Sequence, residues 1–279
     1  MANILDGKLV AQHIKDEVKK SVKKSRRDIY LTIFQVGNNP ASNTYIRNKA
    51  KACEEVGIKS EVCKFDDTHN PYDQTWLTKS IKTAQADGVM LQLPIPDHWG
   101  DESFYLNCIK PSQDADCLTD ISLGKFYASN NPDLAPCTAQ GIIDILDYYN
   151  IDITGKHAVV VGRSNIVGKP VAHLLTCRDA TVTLCHSKTQ NLAEITKQAD
   201  ILVVAIGKAK LITADMVKDG AVVVDVGINR DENGKLCGDV DFDSVEPKAS
   251  WITPVPGGVG PVTVAELLKN CVKLRESKC

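Results

Sequence analysis

No stretch of this 279-residue chain is apolar for long enough to cross a bilayer. Its longest apolar runs, 158–162 and 201–206, fall far short of the ~20 residues that a spanning helix needs. The N-terminus, Met-Ala-Asn-Ile-Leu-Asp-Gly-Lys, lacks a charged segment followed by an apolar one, so no secretory signal is expected. Basic blocks, RNP-like aromatic runs and zinc-finger spacings are missing, and the net charge is only -2. That balance argues against a nucleic-acid partner. No tandem repeat or low-complexity tract occurs. Ten cysteines are present, but none form a Cys-x-x-Cys pair or group with histidines at zinc spacing. No metal is therefore expected. Reduced thiols in a cytoplasmic protein are the natural reading.

What is present is an alternation of short β-rich runs and helical patterns. Strand candidates are 29–36, 58–65 and 88–93, with helices after the first two. In the second half, strands at 157–162, 181–185, 201–206 and 221–226 alternate with helices at 167–177 and 192–198. A lysine-rich helix precedes them all, another spans 139–149, and a last one spans 262–275. Such alternation predicts an α/β protein with parallel sheets covered on both faces. The seam falls near 130–138, where Asn-Asn-Pro and Ala-Pro-Cys-Thr mark loops.

The helix that starts near Pro40 and closes at Gly57 carries one misplaced charge. Ser42 or Asn43 is the expected N-cap. Wound at 3.6 residues per turn, Tyr45, Ile46, Ala50, Ala52, Cys53 and Val56 gather in one arc, and Lys49 falls near its centre. A lysine there must snorkel outward, pair with a carboxylate, or line a polar cavity. A desolvated amine is the easier to use as a base.

The segment Val159-Val-Val-Gly-Arg-Ser-Asn-Ile-Val-Gly-Lys-Pro170 has the order strand, glycine turn, helix start. Gly162 suits the turn and Gly168 a close helix–strand contact. The helix N-terminus offers amides to a pyrophosphate. Ser164 stands where a Rossmann fingerprint has its middle glycine. The next strand runs into Leu184-Cys-His-Ser-Lys-Thr189, without the acid that would bind a ribose 2′-hydroxyl. With Arg163 nearby, NADP is favoured over NAD. His186 is either a functional group or a backbone hydrogen-bonder.

Three further places stand out. Gln92 follows an apolar strand and precedes Leu93-Pro94, at the carboxyl edge where α/β sheets bind ligands. Asp114 and Asp116 share a loop, as turn caps or as a ligand for ring N–H groups. Pro254-Val-Pro-Gly-Gly-Val-Gly-Pro261 is a shaped turn that allows close approach of a flat ligand or another backbone.

Together, Tyr45-x-x-x-Lys49, Gln92-Leu-Pro, Asp114-x-Asp116, Pro136-Cys-Thr138, Gly162-Arg-Ser-x-x-Val-Gly168, Cys185-His-Ser-Lys-Thr189, Asp225-Val-Gly-Ile228 and Pro256-Gly-Gly-Val-Gly-Pro261 resemble the bifunctional methylenetetrahydrofolate dehydrogenase/cyclohydrolase family over nearly the whole chain. The resemblance implies two lobes flanking a cleft: an α/β folate domain (1–138 plus a returning helix, 262–279) and a Rossmann NADP-binding domain (139–261). It implies oxidation of 5,10-methylenetetrahydrofolate with NADP, hydrolysis to 10-formyltetrahydrofolate, and a homodimer. It gives Lys49 a proton-handling role, Tyr45 a stacking role, Gln92 the task of holding the lysine, and Asp116 that of anchoring the pterin. Gly162, Arg163, Ser164, Ser187 and Ile228 become dinucleotide contacts. Pro256, Gly257, Gly258 and Val259 become a wall for the aminobenzoyl part. The presence of Lys49 and Gln92 argues against a dehydrogenase that has lost hydrolysis. Retention of the polar set argues against a non-catalytic binder. Three departures stand out: Cys117 replaces the usual glycine, Gln113 the usual lysine, and Ala139 a common proline.

Overall fold

The structure is a computed structural model, which describes residues 1–67 and 70–278. In chain order it opens with strand β1 (Asn3–Ile4), helix α1 (Gly7–Lys24), β2 (Tyr30–Val36), α2 (Pro40–Val56), β3 (Lys59–Phe65), α3 (Pro71–Thr83) and β4 (Gly88–Gln92). Helices α4 (Glu102–Leu106), α5 (Asp120–Ala128) and α6 (Cys137–Tyr148) follow. Then come β5 (His157–Val161), α7 (Gly168–Cys177), β6 (Thr181–Cys185), α8 (Leu192–Thr196), β7 (Ile201–Val204) and β8 (Val222–Asp225). A hairpin of β9 (Asn229–Arg230) and β10 (Leu236–Cys237), α9 (Phe242–Val245), β11 (Trp251–Ile252) and α10 (Val259–Glu276) complete it.

These elements form two units: Met1–Gln12 with Thr138–Thr263, and His13–Cys137 with Val264–Cys279. The first twelve residues thus depart from the expected grouping with 13–138. The cause is β1, which pairs in parallel with β11 through Asn3↔Trp251 and Ile4↔Ile252. A two-residue strand has no period for a sequence to display.

In the His13–Cys137 unit the sheet order is β3-β2-β4, all parallel. Strands β2 and β4 are buried almost throughout, as parallel strands covered by helices must be. Strand β3 is the edge, and Lys59, Ser60 and Glu61 there are exposed. Phe34, Leu77, Ile81, Val89, Leu91 and Tyr105 belong to one core cluster.

The other unit holds a six-stranded parallel sheet, order β1-β11-β8-β7-β5-β6. Val159, Val161, Leu202, Val204, Val223 and Ile252 fill its core. Each buried aliphatic of this size contributes roughly 1.5–3 kcal/mol.

Helix α2 follows from its ends. Asn39 is the N-cap, its side chain accepting from the amides of Ala41 and Ser42, with Pro40 in the first turn. The expected caps Ser42 and Asn43 lie inside the helix. Proline at the first helical position moved the start upstream, because its fixed φ suits that place and it has no N–H to satisfy. Gly57, with φ 87°, closes the helix. The buried residues Ser42, Ile46, Lys49, Ala52, Cys53 and Val56 make one stripe.

Candidate active site and nucleotide loops

Lys49 is on that stripe and only 8% exposed, so it does not snorkel. Its Nζ donates to Gln92 Oε1 at 3.0 Å and approaches Met90 Sδ at 3.5 Å. Both partners come from β4. Gln92 is itself oriented: its Nε2 donates to the Leu93 carbonyl at 2.8 Å, which turns Oε1 toward the amine. A buried ammonium normally requires a carboxylate in contact. Here the direct oxygen partner is a neutral amide, so the amine keeps hydrogen-bonding capacity for something else.

Asp114 takes the first of the two alternatives read from their loop, that of a turn cap. Asp114 is 1% exposed and caps the chain ahead, accepting from the amides of Leu118 and Thr119. Asp116 receives no backbone amide among the described residues. Its carboxyl is pushed above the usual range first by burial and then by Asp114, while the nearby Lys49 charge and a hydrogen bond with Cys137 oppose the rise. Tyr45, one turn before Lys49, is half-buried and its phenol is pushed up by burial. Lys49, Gln92 and Asp116 therefore converge within one unit, with Tyr45 on the same helix.

Three residues outside the expected set support them. Cys137 Sγ donates to the Ala115 carbonyl at 3.4 Å. Asn270 on α10 reaches the carbonyls of Ala115 and Ala135 at 2.9 and 3.2 Å and Cys137 Sγ at 3.5 Å. Gln113 Nε2 donates to the carbonyls of Ala84 and Ala86. The glutamine thus ties its loop to the turn between α3 and β4, where the family has lysine. Cys117 is buried and holds φ 57°, the left-handed region that favours glycine. The usual residue is therefore explained by the backbone. The thiol is pushed up to about 12 by burial and by the charges of Asp114 and Asp116.

In the other unit, β5, β7 and β8 end side by side, and loops leave each at the carboxyl edge. Gly162 has φ 131°, and a Cβ there would lie 2.2 Å from the Ala205 carbonyl oxygen. The turn is thus closed to any larger residue, and the backbone stays open to a ligand. Ser164 behaves differently from a fingerprint glycine. Its Oγ accepts from the amides of Val167 and Gly168 at 3.1 and 3.4 Å, so two of the expected free amides are occupied. The amides of Asn165 and Ile166 donate to nothing among the described residues. Gly162 N donates to the Cys185 carbonyl at 2.9 Å, which joins this turn to the end of β6. Arg163, Ser187 and Lys188 are exposed on these two adjoining loops, and no acid accompanies them. Ile228, beyond β8, is 48% exposed. Free amides, exposed cations and a bare apolar side chain at one sheet edge suit a phosphorylated dinucleotide.

His186 takes the bland role: its Nδ1 accepts from the Lys188 amide. In the proline-glycine turn, Pro256 is exposed and Gly257, Gly258 and Val259 are buried. Gly7 packs directly on the Gly258 carbonyl, so another backbone is one object of the close approach foreseen there. These four residues belong to the Thr138–Thr263 unit, apart from Lys49.

Family models match both parts of the chain. One, described as the tetrahydrofolate dehydrogenase/cyclohydrolase catalytic domain, covers residues 5–116. Another, the NAD(P)-binding domain of the same family, covers 136–279. The bifunctional protein FolD of Agathobacter rectalis is 52% identical over 277 residues, 98% of this chain and 99% of that protein. The crystal structure of FolD from Campylobacter jejuni is 43% identical, covers 100% of both chains and superposes with a TM-score of 0.94. The Trypanosoma brucei enzyme, solved with NADP cofactor and inhibitor, is 37% identical over 99% of this chain and 98% of that one, with a TM-score of 0.92.

Proposed function

The chain belongs to the tetrahydrofolate dehydrogenase/cyclohydrolase family, and on that premise we propose that Lys49 is the proton carrier of a two-step folate enzyme. The protein oxidises 5,10-methylenetetrahydrofolate to the 5,10-methenyl cation with NADP, and then hydrolyses the cation to 10-formyltetrahydrofolate. The observation that carries the assignment is the Lys49 Nζ to Gln92 Oε1 contact of 3.0 Å at a carboxyl sheet edge.

NADP supplies the hydride acceptor for the first step. The chain's own part there is alignment, since a hydride leaving a carbon flanked by two nitrogens needs no acid or base. The pterin is held by Asp116, whose oxygens are not spent on backbone amides. Tyr45 stacks on the ring system. Pro256, Gly257, Gly258 and Val259 wall the aminobenzoyl part. Gly162, Arg163, Ser164, Ser187 and Ile228 receive the dinucleotide, with Arg163 directed at the 2′-phosphate.

In the second step water adds its oxygen to the methenyl carbon. Lys49 Nζ takes the proton. It returns that proton to N5 as the carbon–N5 bond breaks, leaving the formyl group on N10 and one net proton released. Gln92 Oε1 holds one N–H of Lys49 and so aims the amine. Such proton transfer is worth ~10²–10⁴ in rate.

The same reading makes the enzyme a cytoplasmic homodimer. Nine free thiols among the described residues and the open edge strand β6, with its half-exposed Leu184, support it. Light scattering coupled to gel filtration tests the dimer. The activity is tested with methylenetetrahydrofolate and NADP or NAD, following reduced nucleotide and methenyl decay. Reduction of neither nucleotide would sink the reading. Lys49→Ala should abolish methenyl hydrolysis, and wild-type hydrolysis in that variant would refute the role of the lysine.

A further inference from the structure

Two carboxylates in the nucleotide unit have no part in the chemistry above, yet both are buried at its loops. Asp239 is 0% exposed. It accepts from three successive amides, those of Ile206, Gly207 and Lys208, at 2.7, 3.0 and 2.8 Å. A fourth donor is Asn229 Nδ2 at 2.9 Å. Asp225, at the end of β8, accepts from the amides of Gly227, Asp239 and Val240 at 3.0, 3.0 and 2.9 Å. The two acids are interlocked, since Asp225 holds the amide of Asp239 while Asp239 holds the loop after β7.

The fit leaves no slack. A Cβ on Gly227 would lie 2.2 Å from Asp239 Cγ, and one on Gly238 would lie 1.8 Å from Asp225 Oδ2. The clamped loop in turn meets the Gly162 turn, through the close contact at Ala205 described above. Through Asn229 the same carboxylate also reaches the segment that carries Ile228. One buried anion thus ties together loops leaving β7 and β8, and these pack against the loop leaving β5. All three stand at the carboxyl edge, where a parallel sheet binds its ligand.

We propose that Asp239, braced by Asp225, is a positioning residue for the dinucleotide: it sets nucleotide affinity by fixing the receiving loops without touching the ligand. The proposal rests on the NADP reading above. Loops rich in glycine and small residues lose conformational freedom on binding, and a scaffold that orders them beforehand removes that cost. An asparagine at 239 would place an NH₂ against backbone donors, so at least one of the held amides must move.

The test uses the full-length protein and measures the NADP dissociation constant by fluorescence titration, alongside thermal unfolding and methenyl hydrolysis. Hydrolysis needs no nucleotide, and its proton-handling residues Lys49 and Gln92 lie in the other unit, so it monitors the fold apart from nucleotide binding. For Asp239→Asn we expect a dissociation constant raised at least tenfold, KM for NADP raised more than kcat falls, and hydrolysis within twofold of wild type. Asn229→Ala removes a single tie and should raise the constant about threefold. Val223→Ala, a core change on the same sheet, should lower the unfolding temperature and leave NADP affinity alone. Wild-type affinity in both Asp239→Asn and Asn229→Ala would overturn the proposal. So would affinity that falls in Val223→Ala in step with unfolding temperature, because a general loosening would then explain everything. If the unaltered protein binds no NADP, the cofactor reading itself is wrong, which is a separate result.

Discussion

In the His13–Cys137 unit, Lys49 is buried against a neutral amide and Asp116 keeps its oxygens clear of backbone amides, whereas in the other unit Asp225 takes three amides and Asp239 four donors. All four groups are ionisable, and all lie near the carboxyl edge of a parallel sheet. What differs is spare hydrogen-bonding capacity. A buried charge whose valences are filled by the backbone is architecture. A buried charge with capacity left over is costly to keep, and such groups collect where chemistry is done. Burial alone therefore does not find a site here.

The sharpest way to break this contrast is to delete one acid from each unit. Asp225→Ala leaves three buried amides unsatisfied and should cost about 3 kcal/mol or more of stability. Asp116→Ala should change stability by less than about 1 kcal/mol, because the group it removes is desolvated and poorly repaid. It should weaken folate binding by roughly 10–100-fold, the loss of a charged hydrogen bond. Urea midpoints and folate titrations measure both, and equal destabilisation by the two variants would remove the distinction.

A pH profile comes next in size. Burial raises the Asp225 carboxyl from 3.8 to about 6 in the folded chain. The folded state thus holds this proton more tightly than the unfolded one. The associated stability is complete below 3.8, declines as pH rises, and is gone above about 6. Its ceiling is roughly 3 kcal/mol, at about 1.4 kcal/mol per pH unit. Unfolding free energies of wild type and Asp225→Asn should therefore differ in slope between pH 4 and 6.5, about. Parallel curves would show that the carboxyl titrates at its ordinary position.

Arg163→Ala should raise KM for NADP by about tenfold and that for NAD by less, since only the former offers a 2′-phosphate to the guanidinium. An equal loss for both nucleotides would remove the phosphate assignment. Cys117→Gly should have the smallest effect, within about 1 kcal/mol of wild type. It relieves roughly 1–2 kcal/mol of left-handed strain and gives up a comparable amount in burial and backbone entropy. A larger change in either direction, read from thermal unfolding, would show that the thiol does more than fill space.

The contrast also explains how much could be read from residues alone. Alternating strands and helices came through because a parallel sheet covered by helices writes its pattern into runs of ten residues or so, about. Lys49 was legible because helical periodicity exposes a charge in an apolar stripe. The start of α2 was not, since Ser42 and Asn43 are as good caps as Asn39 until Pro40 decides between them. Strand β1 was hidden by its two-residue length and a partner some 250 positions away, about the whole chain. The roles of Asp114 and Asp116 stayed open because identical side chains two residues apart differ only in which amides surround them. The Asp225–Asp239 clamp had no sequence signal for the same reason: its donors are backbone amides, which every residue but proline carries.

The most direct measurement takes one variant, Lys49→Met, and reads its stability and its methenyl hydrolysis together. The substitution keeps the length of the stem beside Met90 and removes the amine with its hydrogen bond to Gln92. We expect an unfolding free energy equal to or above that of wild type, with hydrolysis reduced by about 10²-fold or more. Hydrolysis near the wild-type rate, or a loss of several kcal/mol of stability, about 3 or more, would contradict the view that this amine is buried for its chemistry.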